Sequence, residues 1–257
     1  MDVIPGSDAL MAKVPRLATT GGRLQAAVTV SAVGAIVLMT LRAAELVSPV
    51  LALVLQVATY AVVARLVSDF FNGRAVGRPY DRALFTRGFP AGGCVLASLF
   101  FILLNGGGAV AGADERLVPG WLAGLLGLYL FGSGLALMVR TLQTIGLDSG
   151  LALYCYFPEE GRLVSWSVYA LLRHPGYAGM ARLALAFGLW NGSTFALLLA
   201  VIFVFAWQPV WYGIEERELI GRFGESYRAY REQVPAIVPK RPADEAHLLR
   251  ALGRRGG

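Results

Sequence analysis

Arg173-His174-Pro175-Gly176-Tyr177, an apolar run to Trp190, Asn191-Gly192-Ser193, a second apolar run to Gly213, then Glu215-Glu216: this stretch decides how the chain is built. Each apolar run approaches the ~20 residues needed to cross a bilayer, and the Asn-Gly-Ser between them is a turn signal. The reading is a helical hairpin that returns to the side it left. An Arg-His pair stands at one foot and two carboxylates at the other. Hydrocarbon penalises ionisable groups strongly, so their concentration at helix ends marks a candidate functional site. Pro175 suits a first helical turn, where its missing N–H would be unpaired in any case.

Outward from the hairpin, the rest of the chain reads as membrane protein. Of its 257 residues 56% are hydrophobic and 16% charged, against about a quarter charged in soluble domains. Six apolar runs qualify as spans, over 24–41, 49–67, 89–104, 119–139, 176–190 and 194–213. The first is longer than the ~7–15-residue core of a signal peptide and reads as a retained span. Lys13, Arg16 and Arg23 precede it; Arg74, Arg78, Arg82 and Arg87 follow the second; Arg140, Arg162 and Arg173 follow the fourth; Arg217, Arg222, Arg228 and Arg231 follow the last. The opposite loops hold Arg42 and Arg116. By the positive-inside rule both termini are cytoplasmic, and both polar clusters face that side. The expected fold class is all-α: a polytopic transmembrane bundle of about six spans with a cytoplasmic amphipathic C-terminal helix. That helix is read from Ile220, Phe223, Tyr227, Tyr230 and Val234, which recur at spacings of three and four. The organisation is an N-terminal tail (1–23), an N-terminal bundle (24–139), a region holding the polar clusters (140–242) and a mobile C-terminal tail (243–257).

The net charge of +6 lies in loops and tails between apolar runs, which suits anionic lipid head groups and not nucleic acid. Cys94 and Cys155 form no CxxC or disulfide pattern, and His174 and His247 are the only histidines, so no metal site is expected. Singly, the signals are modest. Glu215-Glu216 could begin a solvated helix, and Gly132 and Gly134 could merely let helices approach. Tyr169 could belong to an interfacial aromatic belt. Arg182 is different: two turns beyond Pro175 inside a span, it must snorkel, pair with a carboxylate or face a polar cavity. Glu215 or Glu216 is the expected partner.

In order and spacing, Tyr169, Arg173-His174-Pro175-Gly176-Tyr177-Ala178-Gly179, Glu215-Glu216 and Phe223-Gly224-Glu225-Ser226-Tyr227-Arg228-Ala229-Tyr230 resemble the integral membrane methyltransferases related to isoprenylcysteine carboxyl methyltransferase and phosphatidylethanolamine N-methyltransferase. Ser167 stands where that pattern often has glycine, and Arg182 belongs to none of its motifs. The resemblance implies S-adenosylmethionine as methyl donor near the cytoplasmic surface and a lipophilic acceptor from the bilayer, such as a prenylcysteine carboxylate or a phospholipid amine. It implies that Tyr169, His174, Pro175, Tyr177, Glu215 and Glu216 line the donor pocket, with Gly132 and Gly134 permitting close approach. Arg173, His174 and Glu216 would serve catalysis and Arg182 would meet the substrate. Two other classes share parts of the pattern. NADPH-dependent sterol-type membrane reductases have a late Arg-His-Pro-x-Tyr element, and a transporter or assembly protein could retain the scaffold, although no internal repeat is present.

Overall fold

The computed structural model describes residues 6–75, 82, 85–86, 116–150, 153–157, 159, 161–240 and 242–253, and every regular element among them is helical. Helix α1 (Ser7–Lys13) and a 3-10 turn (Pro15–Ala18) lead into α2 (Thr20–Val47). Thr19 caps α2, its hydroxyl accepting from Gly22 N at 3.0 Å. Extended backbone at Ser48 ends α2, and Pro49 opens α3 (Pro49–Ala75), which packs back on it. Both helices turn large apolar side chains outward, Leu24, Ile36, Met39, Val54 and Val62 among them, as lipid-facing helices do. Helix α4 (Gly120–Gly150) kinks at Gly146, whose φ of 90° an L-residue would resist. A short α5 (Leu153–Tyr156) follows, then a 3-10 turn at Ser167–Ala170.

The hairpin is present as expected. Helix α6 (Pro175–Asn191) starts on its proline and ends on Gly192 at φ 76°, and Ser193 caps α7 (Thr194–Ile202). A π-helical turn (Phe203–Trp207) joins α7 to α8 (Gln208–Phe223) without a break. Its cause is local. Pro209 has no N–H for the carbonyl one turn back, and Gln208 N–H reaches five residues to Phe203 O instead. The π turn changes the rotation of everything downstream, including both glutamates. Helix α4 packs along α6, while α3 braces α8 from behind through Tyr60, Val63, Phe203, Trp211 and Ile214.

Several expectations are corrected. Among the described residues four helices are long and apolar enough to cross a membrane: Thr20–Val47, Pro49–Leu66, Gly120–Gly150 and Thr194–Phe223. The run at 89–104 lies outside the described residues. The run at 176–190 forms α6, whose 17 residues stand at the lower end of the ~17–25 that cross a bilayer. The amphipathic C-terminal helix is two helices. Gly224, at φ 56°, separates α8 from α9 (Glu225–Gln233), so Ile220 and Phe223 do not share a helix with Tyr227 and Tyr230. Nor are the tails loose. Leu10, Val14 and Leu17 are buried with Phe85, Leu153 and Phe157. At the other end α10 (Pro242–Gly253) sets a fully buried Leu248 against Leu137, Leu172 and Ala178. Apolar residues three or four apart give each end a stripe to bury.

Candidate active site

The polar clusters at the two feet of the hairpin meet on Glu216. Arg173 Nε donates to its Oε1 at 2.9 Å, with Nη2 in ion-pair contact at 2.8 Å, and His174 Nε2 lies 3.1 Å from the same oxygen. Arg231 of α9 stands 4.0 Å from Oε2. Glu216 is 9% exposed and His174 5%, so these are charge-assisted bonds in a largely desolvated place. A carboxylate only accepts, so Nε2 carries the proton toward Glu216 and Nδ1 is the nitrogen left for other chemistry.

Local structure explains why the residues converge. Arg173 and His174 precede α6 as a short non-helical strap, and their N–H groups donate to Pro235 O and Ala236 O at 2.8 and 3.0 Å. Arg173 Nη1 also donates to the carbonyls of Arg231 and Val234. Its guanidinium therefore clamps the strap to α8 and to the end of α9. Tyr230 of α9 adds a hydroxyl bond to Tyr169 O at 2.6 Å. Tyr212, one turn before Glu216, stacks on His174 with ring centroids 5.3 Å apart, and Tyr177 meets the same ring edge-on at 5.6 Å. Gln208 Nε2 holds Tyr177 through its carbonyl at 3.1 Å.

Two polar groups beside this cluster stay open. Glu215, half-buried, makes no hydrogen bond or ion pair among the described residues, although its charge bears on Tyr169 and Tyr227. The Tyr227 hydroxyl is buried with no hydrogen-bond partner among them. Burial, reinforced by Glu215 and Tyr230, pushes the Tyr169 hydroxyl well above its ordinary value. Burial does the same to Tyr227 and Tyr230. These phenols stay neutral and act as hydrogen-bonding or stacking groups, not as bases.

The structure thus brings Tyr169, Arg173, His174, Pro175, Tyr177, Glu215 and Glu216 to one end of the bundle. Gly132 and Gly134 lie elsewhere. Gly134 is in the α4–α6 seam, where an added Cβ would come within 3.0 Å of both Gly179 O and Arg182 Cβ, while Gly132 is exposed with nothing within 4 Å. Gly134 faces Gly179, and the pair brings the two backbones together. A separate cavity of about 340 Å³ lies between the strap and α10, lined by residues including Ala170, Leu171, Pro235, Lys240 and His247 but not by His174 or Glu216.

Arg182 is a correction. It pairs with neither Glu215 nor Glu216 but with Glu245 of α10, Nη2 donating at 2.8 Å. Tyr129 donates to the other oxygen of Glu245 at 2.6 Å. The reason is rotational: Arg182 lies on the side of α6 that faces α4, as its contact with Gly134 shows, whereas Tyr177 packs toward α8. Sequence reasoning missed Glu245, Tyr129 and Tyr212. Only Tyr212 carried a signal, standing four residues before Glu216 and so on the same helix face.

An apolar helical bundle with a buried Arg–His–Glu cluster at one end, beside a carboxylate unpaired among the described residues, defines a membrane-embedded protein with a built polar site. The phospholipid methyltransferase family matches residues 122–226, from the start of α4 to the start of α9. The chain is 29% identical over 154 residues to the methanethiol S-methyltransferase of a Pseudomonas species, covering 58% of this chain and 57% of that one. It is 34% identical over 84 residues to the protein-S-isoprenylcysteine O-methyltransferase of Schizosaccharomyces pombe, covering 33% of this chain and 36% of that one. The chain thus spans little more than half of the one relative and about a third of the other. No solved structure gave a significant match.

Proposed function

We propose that this protein is an integral membrane enzyme that transfers a methyl group from S-adenosylmethionine to a lipophilic or membrane-associated acceptor. The observation that carries the reading is the buried Arg173–His174–Glu216 cluster beside an uncommitted Glu215, within the segment that matches the methyltransferase family. The residues suit the donor chemically. A carboxylate and a buried tyrosine hydroxyl, each without a partner among the described residues, accept from, and donate to, an amino-acid and ribose portion. The faces of Tyr177 and Tyr212 favour a sulfonium. When bound, the donor supplies an electrophilic methyl group on a positively charged sulfur.

The chain's own residues do the rest. Arg173 and Glu216 fix the strap and orient His174, which presents Nδ1. An anionic acceptor such as a carboxylate or thiolate needs no base, and the site then works by positioning and by excluding water. An amine acceptor must lose a proton, for which His174 and Glu215 are in place. Arg182, in the α4–α6 seam, serves the acceptor side. The full architecture in this reading has six spans, with both termini and the polar site on the cytoplasmic face. Incubating membranes that contain the protein with methyl-labelled S-adenosylmethionine, then extracting and identifying the product by mass spectrometry, tests the proposal. A labelled lipid or thioether dependent on His174 supports it; no label above that of membranes lacking the protein ends it.

A further inference from the structure

An arginine inside an apolar helix needs a counter-charge, and the one that Arg182 receives comes from outside the spans. Arg182 Nη2 and the Tyr129 hydroxyl each take one oxygen of the Glu245 carboxylate, at 2.8 and 2.6 Å. Two helices thus grip a single oxyanion. Arg182 Nη1 is buried with no hydrogen-bond partner among the described residues, so the site holds a donor that Glu245 does not use. Its occupant is a poor resident. The 12 residues of α10 include Asp244, His247 and Arg250 besides Glu245; Pro242 opens them and prolines at 235 and 239 precede them. Most of so polar a helix is exposed or only half-buried. It is held by buried Leu248 and by Arg140, whose Nε and Nη2 donate to Leu252 O at 3.3 and 3.1 Å. Arg182 lies about 10 Å along α6 from Pro175, deeper than the cluster on Glu216.

We propose that Arg182 and Tyr129 form a recognition site for an oxyanion on the lipophilic acceptor, occupied in the resting protein by Glu245, so that α10 lifts away when the acceptor is seated. The methyl-transfer reading underlies what the ligand is for; the oxyanion chemistry stands on the geometry alone. A planar carboxylate matches the fork of Arg182, and a phosphate ester adds a third oxygen for Nη1. An amine brings a like charge to Arg182, and an alcohol leaves the guanidinium uncompensated. Arg182 and Tyr129 are specificity-determining residues here, not reacting groups.

The test uses the full chain in dodecyl maltoside micelles, which carry no oxyanion, without any methyl donor. Spin labels are placed at Leu135 of α4 and Leu249 of α10, both exposed, with Cys94 and Cys155 replaced by alanine. Dodecanoate or dodecyl phosphate should convert a short inter-label distance to a longer one, and dodecanol and dodecylamine should leave it unchanged. The stronger of the two oxyanions tells a carboxylate site from a phosphate site. In equilibrium dialysis, Glu245→Gln should bind the oxyanion about tenfold more tightly than wild type, because the competing occupant is gone. The doubly neutral Arg182→Gln/Glu245→Gln protein, which buries no unpaired charge, should lose all preference for oxyanion over alcohol. An unchanged label distance, equal affinity of Glu245→Gln and wild type, or a preference that survives in the double variant each overturns the proposal. Failure of the methyl-transfer reading looks different: no labelled product from either wild type or Glu245→Gln, with the oxyanion competition intact.

Discussion

Glu216 accepts from Arg173 and His174, whereas the carboxylate one position earlier accepts from nothing among the described residues. That difference predicts different phenotypes. Glu216→Ala leaves Arg173 and His174 facing a buried gap and should cost about 3 kcal/mol of stability, lowering the melting temperature in detergent as well as donor affinity. Glu215→Gln should leave the melting temperature unchanged yet weaken S-adenosylmethionine binding roughly tenfold or more, the worth of a charge-assisted hydrogen bond. Calorimetric binding with thermal unfolding on the same preparations separates the two; equal melting losses would mean that both carboxylates are structural. Ser167 offers a second test. It is the one non-glycine residue with positive φ among those described, at 59°. Left-handed backbone costs an L-residue ~1–2 kcal/mol, partly offset by the greater unfolded-state freedom of glycine. Ser167→Gly should therefore stabilise the protein by about 0.5 kcal/mol, seen as a small rise in melting temperature; a fall would show that the Thr144–Ser167 hydroxyl bond of 3.1 Å outweighs the strain.

Between elements, the seam of α4 and α6 depends on small residues. A Cβ on Gly179 would meet Met138 Cγ at 2.9 Å and Gly134 O at 3.0 Å, and the backbone oxygen cannot swing aside as a side chain can. Gly179→Leu should force the helices apart and destabilise by about 1–3 kcal/mol. Loss of activity and melting temperature together would be the signature, and an unaltered Gly179→Leu protein would show that the seam is looser than this geometry. The docking of α10 makes a pH prediction. Burial raises the carboxyl of Glu245, but the bonds from Arg182 and Tyr129 outweigh it and hold the group below its ordinary value of 4.5. A depressed value in the docked state means that docking is at full strength above 4.5 and is lost as pH falls below it through the docked value. Amide exchange in α10 should stay slow from neutral pH down to that point, after correction for intrinsic rates, and quicken beneath it. Exchange that is fast at neutral pH would contradict a docked α10.

For the whole molecule, the N-terminal helices do more than anchor. Leu41 of α2 and Tyr60 and Val63 of α3 share a core with Phe203, Trp211 and Ile214, so they back the helix that carries Glu216. The predicted arrangement in the bilayer puts the loop that contains Ala113 outside and both termini inside. A reporter fused after Ala113 should behave as exported and one fused after Gly257 as cytoplasmic; a cytoplasmic signal at Ala113 would remove the six-span arrangement.

Helical character, the hairpin and the end of the bundle where the polar clusters gather were legible from residues alone, because each rests on local properties. Apolar runs of bilayer length, a proline at a first helical turn and an Asn-Gly-Ser turn act over a few neighbours. So does the stripe of Leu10, Val14 and Leu17, which was present in the sequence but read as part of a tail. Which carboxylate meets which cation is not local. Adjacent residues on a helix differ by about 100° in direction, so the rotation of α8 beyond the π turn decides that Glu216, not Glu215, faces Arg173 and His174. Arg182 finds its partner 63 positions away in a helix brought there by packing of Leu248. Complementary charge has no period and no fixed spacing, so only the tertiary structure could select Glu245 from the carboxylates available.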